Sequence, residues 1–179
     1  MRSHPRRVWL ALLLGASVAS AGACKGTEFA GGEPIGAHEV WPAGLPKPAD
    51  VAEAQAQRAR GVVWTDRQVR QFYLERVATI GEGDRVLQGA GKPMEERALA
   101  AYEARRVARL TARAMMQDAA AVEALRARDR DKYGAPEGPS FTYLVERAQA
   151  KGLTGDAVYQ SIIDSAQRTD AATNSSMGL

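Results

Sequence analysis

The residues able to do chemistry are few, and most of them gather in the second half of the chain. A nucleophile–base pair needs a histidine beside a serine or cysteine. The 179 residues contain two histidines, His4 and His38, and one cysteine, Cys24, all in the first forty positions. No zinc set can be assembled from them. The glycine pairs Gly81-Glu82-Gly83 and Gly89-Ala90-Gly91 lack the Lys-Ser/Thr ending of a phosphate loop, and they read as helix stops. Paired carboxylates for acid–base work of the glycosidase type are offered by Glu95 with Glu96 and by Asp129 with Asp131. Neighbouring helical positions point apart, and Asp129 and Asp131 alternate with Arg128, Arg130 and Lys132. That run reads as a solvated, self-screened helix end. No catalytic residue, metal or cofactor is therefore assigned.

Two sets of residues suit binding better. Arg105, Arg109 and Arg113 follow one another at i, i+4 and form a ridge of like charge, which costs a few tenths of a kcal/mol in an isolated helix. The ridge calls for compensation, from acids of an adjacent helix or from an anionic surface or partner such as lipid phosphates. The second set is the Gly/Pro segment from Asp131 to Phe141, in which Tyr133, Glu137 and Phe141 make a candidate binding loop. A tight crossing between helices would need the same residue types.

The start of the chain supplies an address. Arg2, Arg6 and Arg7 precede an apolar run from Val8 to Ala19, and small residues lead into Ala21-Gly22-Ala23-Cys24. A basic region, a short apolar region and a small-residue cleavage site define a secretory signal peptide. The run of 12 residues is shorter than the ~20 a spanning helix needs. The tetrapeptide ending in Cys24 resembles the lipobox of bacterial lipoproteins, with Ala21 where that pattern usually has Leu. The resemblance implies cleavage before Cys24 and lipidation of its thiol. It also implies stable anchoring by more than one acyl chain, in the cell envelope. Lys25 after the cysteine points to the outer membrane, on its periplasmic or surface face.

Charge agrees with that address and argues against nucleic acid. The formal net charge is +3, from 24 basic and 21 acidic residues. Three of the arginines lie before Cys24, so the remainder holds 21 of each. A neutral exported chain has no electrostatic case for a nucleic-acid partner.

The elements that must position the candidate residues read as follows. Residues 1–23 are the signal peptide and 24–60 a flexible Pro/Gly-rich linker, with a turn or two of helix between Ala49 and Arg60. Residues 61–169 form a helical domain, and 170–179 a disordered tail. Within the domain, Thr65 and Gln68 make a capping box, with Trp64 and Val69 as its staple. Phe72, Tyr73, Val77 and Ile80 continue the stripe until Gly81 and Gly83 stop it. Pro93 opens one long helix, or two with a bend near Gln117-Asp118. Its seam is Leu99, Val107, Leu110, Ala114, Val122 and Leu125, with the arginine ridge on another face. Ser140 caps the next helix, Gly152 ends it, and Thr154 caps the last. The expected fold is all-α, a bundle of four or five amphipathic helices. The expected function is a membrane-anchored, non-catalytic interaction domain with an envelope protein partner, acting as scaffold, assembly factor or inhibitor; its oligomeric state stays open. The alternatives are an envelope enzyme, such as a carboxylate-dependent cell-wall hydrolase, or a lipoprotein toxin or effector.

Overall fold

The computed structural model describes residues 41–169. The expected signal peptide, Cys24 and His38 lie outside the described residues, as does the expected tail from 170 onward. Within these bounds the chain is all-α. Seven helices follow in order, with no strand: α1 (Val51–Ala59), α2 (Asp66–Ala78), α3 (Ile80–Gly89), α4 (Met94–Met115), α5 (Ala119–Tyr133), α6 (Phe141–Ala150) and α7 (Asp156–Gln167). No described helix is long and apolar enough to cross a membrane.

The central element is α4. At 22 residues it runs about 33 Å at 1.5 Å per residue. It packs against α1, α2, α3 and α7. Its inner face is built from Ala98, Ala101, Ala108 and Ala112, with Tyr102 and Met115 as the larger members. Alanine lets neighbouring helix backbones approach closely, so the bulk filling the core comes from elsewhere. Trp64, Phe72, Tyr73 and Val77 arrive from α2 and its lead-in, and Ile162 and Ile163 from α7. The expected seam of larger side chains is therefore corrected on α4, whereas Leu125 of α5 is buried as expected. Leu99 and Val107 are 42% and 37% exposed, and the buried stripe is the alanine one. A face chosen by side-chain size alone misses a helix surrounded on most sides, where small residues mark the closest contacts.

Local signals set most helix ends. Gln68 N–H donates to the Thr65 hydroxyl at 3.2 Å and Thr65 N–H to Gln68 Oε1 at 3.0 Å, the reciprocal capping box. Asp118 accepts from the amides of Ala120 and Ala121 and opens α5. The long apolar stretch is thus two helices, broken at Met116–Asp118. Ser140 accepts from Tyr143 N–H at 3.1 Å and opens α6. At its end Leu153 N–H returns to Ala148 O at 3.2 Å, the return bond of a Schellman ending.

Three expectations are changed. Gly81 and Gly83 do not stop a helix but lie inside α3. The break falls two residues earlier at Thr79, whose hydroxyl donates back to Arg76 O at 2.8 Å. The last helix is not capped by Thr154. It begins after Gly155, at φ +55°, with no side-chain cap. The linker boundary also moves, because residues 41–60 belong to the packed domain. Ala54 and Gln57 are fully buried. Trp41 Nε1 donates to Leu45 O at 2.8 Å, Gln57 to Pro46 O at 3.0 Å, and Arg76 to Pro48 O at 2.9 Å. Prolines that looked like linker leave carbonyls free, and α1 and α2 side chains bond them. With α1 and α3 added and the long helix divided, the count rises from four or five to seven.

Candidate functional site: a buried arginine ridge and a basic cavity

The ridge on α4 points into the protein. Arg105 and Arg109 are each 9% exposed and Arg113 5%. Arg97, two turns earlier on α4, is also buried. A residue of this kind is almost never buried without a partner, and each of the four solves the problem differently.

Arg97 grips the Asp84 carboxylate with Nε and Nη2, both at 2.8 Å. This two-pronged pair ties α3 to α4. Arg105 donates Nη1 to the carbonyls of Ser165, Ala166 and Arg168 at 3.0, 2.6 and 2.9 Å. Those are carbonyls at the end of α7, which lack helical partners of their own, and a cation there also suits the helix dipole. The same guanidinium sits 5.8 Å from the Tyr73 ring centroid and hydrogen-bonds its hydroxyl. Burial raises the Tyr73 pKa to about 12, although Arg105 and Arg109 pull it down.

Arg113 forms the buried charge pair of the bundle, donating Nη2 to Asp129 Oδ2 at 2.7 Å and Nη1 to Pro136 O at 3.3 Å. Arg128 reaches the other Asp129 oxygen at 3.2 Å. Asp129 is only 2% exposed, so the charged run at the end of α5 is not wholly solvated as its alternation suggests. Its i, i+2 neighbour Asp131 faces solvent, and the two do not form an acid pair. Glu96 is exposed and bridges to Lys92 at 2.8 Å, while Glu95 receives the Tyr159 hydroxyl.

Arg109 is the exception. It donates Nη2 to Glu137 O at 2.7 Å, but its Nε has no hydrogen-bond partner, and neither does that of Arg113. No carboxylate among the described residues forms an ion pair with Arg109. Desolvation first, and repulsion from Arg113 second, lower its pKa. The chain makes room for it at Gly138. There φ is +98°, and a Cβ would stand 2.7 Å from Arg109 Nη2 and 2.9 Å from Cζ.

The candidate loop therefore serves the ridge through its backbone. Pro136 and Glu137 supply carbonyls, whereas the Glu137 side chain is exposed. Phe141 turns into the core, with ring centroids 5.6 Å from Tyr102 and 6.5 Å from Tyr159. Tyr133 meets Tyr143 edge-on at 5.3 Å. The loop's residues thus make the tight crossing.

Between α4, the end of α5 and the α6–α7 pair lies a cavity of about 300 Å³. Arg105, Arg109 and Arg113 line it, and Arg128, Lys132 and Arg147 contribute from the other walls. With Arg106 and Arg168, eight cationic side chains face it against one carboxylate, Asp129. Sequence reading found three of the eight. The others are scattered over α4, α5, α6 and the end of α7, and only the crossing of those helices brings them together. Among the described residues no three His, Cys, Asp or Glu side chains gather to hold a metal ion.

No family model, curated protein or solved structure matches this chain.

Proposed function

We propose that this chain is an envelope lipoprotein, anchored through Cys24, whose helical bundle works by binding and not by catalysis. The observation that carries the binding half is the state of the carboxylates where charge is densest. Asp129 is held by Arg113 and Arg128, and Asp131 and Glu96 face water, Glu96 beside Lys92. Both Asp129 oxygens are engaged by guanidinium donors and the residue is buried, so neither oxygen stands open at hydrogen-bond distance to a substrate proton, as acid–base work requires. The address rests on the basic, apolar and small residues that lead to Cys24. The partner is an envelope component, and the role that of a scaffold, assembly factor or inhibitor.

Assay of the purified full-length protein on cell-wall and phospholipid substrates tests the claim. The reading predicts no turnover. A hydrolytic activity abolished by one substitution, such as Asp129→Asn, Asp131→Asn or Glu96→Gln, while the fold persists, contradicts it and supports the enzyme alternative.

A further inference from the structure

A guanidinium is seldom buried without an anion beside it, because the desolvation penalty amounts to several kcal/mol per ion. The four arginines of α4 divide on this point. Arg97 and Arg113 have carboxylates, and Arg105 has three carbonyls and a tyrosine. Arg109 has one carbonyl, and its Nε is unsatisfied although 91% of the residue's surface is covered. Arg113, still better covered, leaves its own Nε unsatisfied. Both side chains line the same cavity. The excess positive charge is thus concentrated where hydrogen-bond capacity is unused.

We propose that this cavity is a binding site for a small oxyanion ligand, a phosphate group above all, seated against Arg109 and Arg113 and enclosed by Lys132 and Arg147. A planar guanidinium matches phosphate oxygens with paired donors, which a lysine does not. The cations outside the ridge come from α4, α5, α6 and the end of α7, and their side chains line one cavity. That arrangement suits a compact anion better than an extended acidic peptide. The volume of about 300 Å³ lies at the lower end of the range for ligand pockets, which limits the organic part of the ligand to a small group. Tyr102, Leu144 and Ile162 supply an apolar side to the wall, where that uncharged part rests. One bound phosphate offsets the local charge of eight cations set against the single carboxylate of Asp129.

The same phosphate chemistry is available from a soluble ester or from the headgroup of an anionic phospholipid, and the test separates them. The full-length protein is reconstituted in phosphatidylcholine vesicles, and its thermal midpoint is followed as inorganic phosphate is added, against sodium chloride of equal ionic strength. The site predicts a saturable rise in the midpoint with phosphate that chloride does not reproduce. Lys132→Ala and Arg147→Ala alter exposed side chains, leave the fold intact, and should each raise the phosphate concentration at half-effect about two- to fivefold. Arg109→Lys keeps the charge but loses the planar fork, and should raise it about tenfold. Repeating the titration with phosphatidylglycerol in the vesicles identifies the source. A higher starting midpoint that no longer responds to phosphate indicates a lipid headgroup, and an unchanged response indicates a soluble ester. A phosphate effect no larger than that of chloride overturns the proposal, as does an effect equal in wild type and in the Lys132→Ala/Arg147→Ala double variant.

Discussion

At the residue scale, stability turns on how buried charge is satisfied. Asp129 and Arg113 are 3% and 5% exposed at their side chains, and removing one partner strands the other. Asp129→Ala should cost about 3–5 kcal/mol in urea unfolding, and Arg113→Met/Asp129→Leu should recover most of that loss. Gly138→Ala is expected to cost about 1–3 kcal/mol. Its Cβ meets the Arg109 guanidinium, and its φ of +98° strains an L residue. A chemical denaturation curve measures it. Tyr73 gives a pH prediction. Its pKa is about 12 when folded, against 10.0 unperturbed, so the folded state holds this proton more tightly. Its contribution is fully present below pH 10 and is lost as pH rises from 10 to about 12, at most about 3 kcal/mol. Unfolding free energies across that window should fall, and Tyr73→Phe should remove this part of the slope.

At the element scale, the sequence was most legible where a helix end is set by its own residues. The Thr65–Gln68 box, the Asp118 and Ser140 caps and the Gly152 ending all follow from hydrogen bonds within a few residues. Misreadings came where tertiary contacts outweigh local preference. Gly81 lies inside α3, where an added Cβ would stand 3.5 Å from Gln167 Oε1 of α7, because packing between α3, α4 and α7 holds a helix that glycine alone would interrupt. The linker-like prolines before α1 are held by α1 and α2 donors from far along the chain. The arginine ridge was visible in its spacing, but its direction was not. That is set by Ala98, Ala101, Ala108 and Ala112, whose smallness marks the covered side of α4. The account predicts that Leu99→Ala, on the exposed side, changes stability by less than about 0.5 kcal/mol. Ile163→Ala, fully buried, should cost about 2–5 kcal/mol. Thermal or urea unfolding of the two variants compares them directly.

At the scale of the whole molecule, two features stand at opposite ends of one chain. The first is the proposed export signal ending at the lone cysteine, and the second a bundle whose densest chemistry is positive charge around a small cavity. The net charge of the chain conceals this. Beyond residue 24 the numbers of acids and bases are equal, yet the helices sort eight cations onto one cavity. Composition cannot reveal such sorting, since it depends on which faces of α4, α5, α6 and α7 meet. The proposed anchor and the proposed anion site together would hold a binding domain at a membrane. The measurement that tests this most directly is metabolic labelling with palmitate, followed by detergent partition of wild type and Cys24→Ser. The account predicts label and detergent-phase recovery for wild type, and neither for Cys24→Ser. Equal membrane attachment of Cys24→Ser would contradict it.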